Sequence, residues 1–202
     1  SFFKYWTIAT PEFRKVVPGL LLFALFNSSD IFLLLITKAS IGNETVSILG
    51  VAFNSDSITI GAYVFYNLVY AAISYPMGML ADRFSPRTIV IAGFILFAIV
   101  YAGFAFSPSV SEIFILFALY GIYAAATEGV IKAWISNLAH GENTATAIGF
   151  YTSCESIGTL LASIIAGGLW AWCGSDYTFF FFSSISIPVS FYVLVLQVKK
   201  SG

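Results

Sequence analysis

The chain has 202 residues, of which 59% are hydrophobic and only 9% are charged, and its formal net charge is −1. A soluble globular domain carries about 25% charged residues, so this composition places the chain in a lipid bilayer. The nearly balanced charge gives no sign of nucleic-acid binding, and we expect none. The two cysteines, Cys154 and Cys173, lie in or beside apolar runs without the spacing of a metal site. We therefore expect no metal and no cofactor.

Six apolar runs are long enough to cross a membrane, which takes about 20 residues of helix. They cover residues 16–37, 58–80, 88–106, 111–138, 144–172 and 177–198. Residues 1–15 combine aromatic with basic side chains and predict a lead-in at the membrane surface. The fold class is therefore all-α, a polytopic membrane protein with six transmembrane helices. The sequence starts without methionine and ends in Lys-Lys-Ser-Gly, so we expect a fragment of a longer protein.

Lysine and arginine predict the orientation of these spans. Six spans place both ends of the chain on one side of the membrane, together with eight of the nine basic residues. The eight are Lys4, Arg14, Lys15, Arg83, Arg87, Lys132, Lys199 and Lys200. Only Lys38 falls on the other side. Because basic residues concentrate in cytoplasmic loops, we expect both termini to be cytoplasmic, in a bacterial inner membrane.

The first two spans carry polar side chains at membrane depth. Asn27 and Asp30 lie near the middle of the first span, and an ionisable group there indicates a functional site. In the second span, the polar residues Tyr63, Asn67, Tyr70 and Ser74 follow a spacing that puts them on one helical face. Tyr66 and Tyr70 lie at mid-depth, where a role in a cavity explains them better than anchoring at the membrane surface.

A charged loop follows the second span. Residues 78–87 read GMLADRFSPR, with one acid, two arginines and a proline between two apolar runs. Our orientation places this loop in the cytoplasm.

The fourth and fifth spans each hold a glutamate. Glu128 precedes Lys132 by one turn, so the two side chains are expected either to pair or to separate, with Lys132 reaching the membrane surface. Glu155 follows Tyr151 and has no basic residue within a turn. It must be protonated, bonded to another helix or hydrated. A carboxyl group in a low-dielectric environment holds its proton more readily, and this property suits a proton carrier.

The third and sixth spans have no ionisable side chain in their interiors. We therefore expect a 3+3 bundle in which the other four helices surround a polar interior while these two lie outside against lipid. This arrangement is typical of secondary transporters, which are built from structural repeats.

The loop 78–87 resembles the G-x-L-a-D-r-x-G-r-r signature of the major facilitator superfamily, which lies between the second and third helices of a six-helix half. Gly78, Asp82, Arg83 and Arg87 match it, whereas Ser85 stands where a glycine is usual. Segments 127–133 and 27–30 also resemble bacterial members. The degenerate signature favours the C-terminal half of a twelve-helix fold.

The resemblance implies a conformational role for this loop. Gly78 would allow close approach of helices, and Asp82 would meet a helix end of the opposite half. Arg83 and Arg87 would bond the loop and the inner helix ends. These contacts would stabilise the state that is closed towards the cytoplasm.

These patterns predict a secondary active transporter that moves a small solute by alternating access, with proton coupling as a further hypothesis. The expected substrate- or proton-binding residues are Asn27, Asp30, Tyr66, Asn67, Tyr70, Glu128, Tyr151 and Glu155. The expected partners are the lipid bilayer, the solute, and an N-terminal six-helix half or a second copy. The alternative is a membrane-folding or scaffold half without transport activity. An enzyme is not expected, because the only histidine, His140, lies in a loop.

Overall fold

The computed structural model describes residues 4–42, 45–48, 51–106, 108–139 and 141–195. The helices are α1 (Lys4–Ile8), α2 (Pro11–Ala24), α3 (Ile31–Ile41), α4 (Ser55–Phe84), α5 (Pro86–Ala105), α6 (Val110–Leu138), α7 (Thr144–Cys173) and α8 (Ser175–Val195). A 3₁₀ turn covers Gly141–Asn143. Strands β1 (Val46–Ile48) and β2 (Val51–Phe53) pair antiparallel. His140, residues 196–198 of the sixth predicted span, and Lys199 and Lys200 lie outside the described residues.

Side-chain caps fix where several helices begin. Thr10 accepts a hydrogen bond from the Phe13 amide at the start of α2, and Asn54 accepts one from the Ser57 amide at the start of α4. Glu112 accepts from the Ser109 amide at 2.7 Å to open α6. Such caps satisfy amide groups that have no partner within the helix.

The first predicted span, 16–37, is two helices and not one. α2 ends at Ala24 and α3 begins at Ile31, with Asn27, Ser28, Ser29 and Asp30 in the interruption. These residue types compete with helical hydrogen bonds through their side chains. The Ser29 amide donates to Ser163 Oγ on α7 at 3.1 Å, so another helix satisfies the interrupted backbone. The break therefore brings polar groups into the bundle at mid-span.

Four helices in the described part of the chain are long and apolar enough to cross a membrane, namely α4, α5, α6 and α7. The last described helix, α8, is 21 residues long, and α3 is a shorter apolar helix. α2 and α6 meet at one end of the bundle, because Thr10 Oγ1 donates to the Leu138 carbonyl oxygen at 2.8 Å. This contact puts the start of the first predicted span beside the end of the fourth.

The predicted surface lead-in, 1–15, contains α1 and the start of α2. Tyr5 is only 3% exposed, and its ring lies 5.2 Å from that of Phe13 and 6.1 Å from that of Phe150 on α7. The described part of this segment therefore packs against protein as well as starting the first span.

The position of α5 differs from the expectation for the third span. α5 packs against α6 and α8, and 56% of its most apolar stretch is buried, against 22% for α4 and 17% for α7. Phe94 of α5 stacks on Phe23 of α2 with ring centroids 3.6 Å apart. An apolar helix is equally compatible with lipid and with a protein core, so lack of polar groups did not determine its place.

The turn between α4 and α5 contains an unusual backbone conformation. Ser85 has φ 115° and ψ 142°, in a region that is essentially reserved for glycine. Among the described residues it is the one non-glycine position with positive φ. Its Oγ caps α5 by accepting from the Thr88 amide at 3.4 Å. The signature that residues 78–87 resemble has a glycine at this position, and glycine is the residue type that this backbone conformation favours.

We expect Ser85→Gly to stabilise the protein by about 1 kcal/mol, because relief of positive φ outweighs the few tenths lost with the cap. Ser85→Ala keeps the strain and loses the cap, so it should destabilise. The measurement is the free energy of unfolding of both variants in mixed micelles. Destabilisation by glycine would show that the turn is not strained.

Candidate functional site

Asp30 lies in the break between α2 and α3 and accepts two tyrosine hydrogen bonds. The Tyr120 hydroxyl of α6 donates to Oδ1 at 2.6 Å, and the Tyr66 hydroxyl of α4 donates to Oδ2 at 3.5 Å. Hydroxyl groups on neighbouring helices thus satisfy this carboxyl group. Tyr120 is buried, and the Tyr66 and Tyr120 rings lie 5.2 Å apart. Asp30 therefore links the interrupted helix to α4 and α6.

Glu128 of α6 accepts a hydrogen bond from Tyr70 of α4. The Tyr70 hydroxyl lies 3.0 Å from Glu128 Oε2. Within the part of the chain that the structure describes, the one ion pair is Lys38–Asp56, at 2.7 Å. The alternative in which Glu128 pairs with Lys132 is therefore not the observed arrangement, because Tyr70 occupies one carboxylate oxygen and Lys132 extends into a cavity.

Glu155 of α7 also accepts a hydrogen bond from a tyrosine, in this case one on its own helix. The Tyr151 hydroxyl, one turn earlier, donates to Glu155 Oε1 at 2.8 Å. Tyr151 itself is 1% exposed, so its ring is fixed by packing and holds the carboxylate in place. The three intramembrane carboxyl groups of the predicted site thus each accept at least one tyrosine hydroxyl.

These carboxyl groups border two cavities. A cavity of about 60 Å³ is bordered by Asp30, Glu128 and Glu155 together with Asn27. A second one of about 370 Å³ is bordered by Asn27, Glu128, Lys132, Glu155, Ser156 and Thr159. The smaller volume is sufficient for water. Polar side chains from the α2–α3 break, α6 and α7 therefore border one polar region.

Asn27 borders both cavities and is incompletely bonded. Its Oδ1 atom is buried and has no hydrogen-bond partner among the described residues. A buried polar atom in that condition costs free energy and calls for a functional explanation. Asn27 Oδ1 is therefore an unsatisfied acceptor inside the protein, in the α2–α3 break.

One predicted site residue lies away from this region. Asn67 is exposed and donates through Nδ2 to the Tyr63 carbonyl oxygen of its own helix at 2.8 Å. It borders neither cavity. Of the predicted stripe on α4, Tyr70 donates to a carboxyl group of the site, and Tyr66, which lies outside the stripe, donates to another.

Six polar residues of the site were not predicted from the sequence, namely Tyr120, Tyr123 and Thr127 at the small cavity and Lys132, Ser156 and Thr159 at the larger one. Tyr120, Tyr123 and Thr127 recur at helical spacing on one face and border the small cavity. That spacing was the available signal for Tyr120. Ser156 and Thr159 gave no comparable signal, because hydroxyl side chains commonly bond their own helix.

The stretch 78–87, predicted as a loop, is the end of α4, Ser85 and the start of α5, and it lies apart from the cavities bordered by the three carboxyl groups. Asp82 and Arg83 are exposed, and the Arg83 guanidinium lies 5.5 Å from the ring centroid of Phe84. Arg87 Nε is buried without a partner among the described residues. Gly78 borders a groove of about 440 Å³ between α4 and α6, with Asp82 at the same groove. A Cβ atom on Gly78 would meet nothing within 4 Å, so no helix approaches it closely here.

No group of three or more histidine, cysteine, aspartate or glutamate side chains in the described ranges is placed to hold a metal ion. The polar groups that border the two cavities are carboxyl groups, one ammonium group, hydroxyl groups and an amide.

Comparison of the sequence with known proteins identifies a family of membrane transporters. The sequence profile of the Major Facilitator Superfamily matches residues 19–201. An uncharacterized MFS-type transporter of Methanocaldococcus jannaschii is 36% identical over 130 residues, which is 64% of this chain and 32% of the relative.

Two further relatives are named for transport. The MFS antiporter QDR3 of Candida albicans is 23% identical over 161 residues, covering 78% of this chain and 23% of its own length. The multidrug efflux pump LfrA of Mycolicibacterium smegmatis is 31% identical over 105 residues, covering 52% of this chain and 21% of its own length. The chain thus spans less than a third of each of these three relatives.

Proposed function

The chain belongs to the major facilitator superfamily, and from that membership we propose that it is the C-terminal six-helix half of a secondary active transporter. In this proposal a small solute crosses the membrane by alternating access, coupled to protons through Asp30, Glu128 and Glu155. The observation that best supports this proposal is that polar side chains of the α2–α3 break, α6 and α7 border a common polar cavity. Membership supports membrane transport in general and favours a transporter over an enzyme.

A second six-helix unit completes the pathway in this proposal. Glu128 and Lys132 are exposed on the surface of this half, although lipid cannot satisfy charged groups at membrane depth. α4 and α7 are the least buried of the four spanning helices. An N-terminal half, or a second copy, would cover this face and enclose the cavity between the two units.

Residues 78–87, at the junction of α4 and α5, serve as a conformational contact between the units in this proposal. Asp82 is exposed and Arg87 Nε lacks a partner among the described residues. Asp82 is therefore available to the opposite unit when the cytoplasmic side is closed, and this contact breaks when the units rock apart. Arg87 Nε is buried, so in this proposal it bonds the inner helix ends of its own unit.

Two-sided thiol labelling of the complete protein tests alternating access. Cys154 and Cys173 are first replaced, and Thr159→Cys then reports on the cavity. We expect a membrane-impermeant methanethiosulfonate to react with residue 159 from either side of the membrane, because the cavity opens to each side in turn. Ile187→Cys on α8, which is 60% exposed in this half and is expected to face lipid, serves as the unreactive control.

Labelling of residue 159 from one side alone, under all solute and pH conditions, would contradict alternating access. It would favour the alternative of a scaffold half without transport activity.

A further inference from the structure

Buried tyrosines of two neighbouring helices contact both carboxylate oxygens of Asp30. The Tyr120 hydroxyl of α6 donates to Oδ1 at 2.6 Å, and the Tyr66 hydroxyl of α4 donates to Oδ2 at 3.5 Å. Tyr120 is 3% exposed and Tyr66 is 5% exposed, so their side chains have little access to solvent. The protein itself therefore supplies a donor to each oxygen of this carboxyl group.

The packing of α4 against α6 fixes the positions of the two hydroxyl groups. A Cβ atom on Gly121 of α6 would lie 2.9 Å from the Tyr66 carbonyl oxygen, so the two helices are already in close contact beside the site. The Tyr66 and Tyr120 rings lie 5.2 Å apart. In the described part of the chain, Asp30 makes the hydrogen bonds that join the α2–α3 break to this helix pair. The ionised carboxyl group thus finds two donors that are already in place.

The two contacts differ in strength. A hydrogen bond between two oxygen atoms is typically about 2.7 Å long, so the contact from Tyr120, at 2.6 Å, is short. The contact from Tyr66, at 3.5 Å, is long. Hydrogen bonds to an ionised acceptor are roughly twice as strong as those between neutral groups. Tyr120 therefore favours the ionised form of Asp30 over the protonated form, and Tyr66 adds a smaller contribution of the same sign.

No basic side chain among the described residues borders the cavity of about 60 Å³ beside Asp30. The other titratable groups on the elements around Asp30 are hydroxyl and carboxyl groups: Tyr63 and Tyr70 of α4, Tyr101 of α5, Tyr123 and Glu128 of α6, and Tyr151 and Glu155 of α7. The two glutamates disfavour a further negative charge. The cavity is large enough for water, through which a proton can reach Asp30. The hydroxyl group of Tyr120 is thus the main described group that opposes proton uptake there.

We propose that Tyr120 is a positioning residue for proton binding at Asp30. Its hydroxyl group holds the carboxyl group in the α2–α3 break and favours the ionised form, and Tyr66 acts in the same direction through the longer contact. By the same coupling, the ionised form favours the contact between the break and the α4–α6 pair, so proton binding weakens that contact. This inference rests on the proposed function and deepens it, since it names the residues that regulate when the transporter takes up its proton.

The test is a pH titration of Asp30 in the purified complete protein, followed by infrared difference spectroscopy. The C=O stretch of a protonated carboxyl group reports the bound proton, and the band that is missing in Asp30→Asn belongs to residue 30. We expect Tyr120→Phe to move the midpoint of this band by about one unit towards higher pH, because a hydrogen bond to the charged form is lost. Tyr66→Phe should move the midpoint in the same direction by a smaller amount.

Tyr101→Phe is the matched control. The Tyr101 hydroxyl is also buried and lies 3.3 Å from Ser28 Oγ in the same break, but it does not bond the carboxyl group of Asp30. This variant should leave the midpoint in place. Incorporation of 3-fluorotyrosine at position 120 keeps the ring and makes its hydroxyl group a stronger donor, so the midpoint should move towards lower pH. Thermal unfolding of each variant in detergent verifies that it is folded.

Three results would each overturn the inference: an unchanged midpoint in Tyr120→Phe, an equal shift in Tyr101→Phe, or no Asp30 band between about pH 4 and about pH 9, the range that buried carboxyl groups cover. If Tyr120→Phe did not fold, an unchanged midpoint with 3-fluorotyrosine at position 120 would overturn it instead.

The titration requires no transport, so failure of this inference is distinguishable from failure of the proposed function. A shifted midpoint in Tyr120→Phe, together with transport that is indifferent to a pH gradient, would uphold the positioning role and contradict proton coupling. Proton-coupled transport with an unshifted midpoint would overturn only the role of Tyr120.

Discussion

Replacing Asp30 with asparagine is expected to reduce proton-driven transport about 100-fold, the order of magnitude that a positioned acid–base group contributes. The amide keeps the size and acceptor oxygen of the side chain, so the hydrogen bond from Tyr120, at 2.6 Å, can persist. What the variant loses is the ability to bind and release a proton. The variant should therefore fold normally, but its transport should no longer be coupled to protons.

The measurement uses proteoliposomes that contain the complete protein and a trapped pH indicator. Exchange of solute without a pH gradient should survive in Asp30→Asn, because an uncharged side chain imitates the protonated state. Asp176→Asn, which changes an exposed acid in the first turn of α8, is the matched control. If Asp30→Asn retained the full response to the pH gradient, Asp30 would not be a proton carrier.

Gly121→Ala is expected to destabilise the protein by about 1–3 kcal/mol, the typical cost of overpacking. A Cβ atom there would lie 2.9 Å from the Tyr66 carbonyl oxygen and 3.0 Å from the side chain of Val69. Helices α4 and α6 would have to separate. Because Tyr66 also donates to Asp30, transport should fall along with stability.

Gly129→Ala on the same helix provides the control, since a Cβ atom there would meet nothing within 4 Å. It should be neutral or stabilising by up to about 1 kcal/mol, because alanine is the better helix former. Denaturant titration in mixed micelles gives both free energies of unfolding. Equal effects of the two substitutions would contradict the close approach of α4 and α6 at Gly121.

Hydropathy predicted the helical character of the chain because the membrane imposes length and composition on each span. Four helices of the described part of the chain, α4, α5, α6 and α7, are long and apolar enough to cross a membrane. The interruption at Asn27–Asp30 was not predicted, although its residue types favour one. Hydropathy is averaged over about 20 residues, so it does not show where a helix is interrupted. Here the Ser29 amide donates to the Ser163 side chain of α7 and not to a carbonyl oxygen of its own helix.

The polar groups of the site were largely predictable, because intramembrane carboxyl groups are costly and must be satisfied. The hydrogen-bond partners of these carboxyl groups were less predictable. Tyr151 was predicted one turn from Glu155, but the hydrogen bond between Tyr120 and Asp30 depends on how α6 packs against the α2–α3 break. The burial of α5 likewise depends on α8 packing against it, which apolar composition alone does not specify.

Solute-dependent proton movement into proteoliposomes of the complete wild-type protein tests the central claim most directly. A panel of small amines, amino acids and sugars is presented with an imposed pH gradient, and the trapped indicator reports proton flux. The account predicts that at least one solute is moved and that its movement carries protons. Transport that is indifferent to the pH gradient would contradict the coupling, and no movement of any solute would contradict the transporter itself.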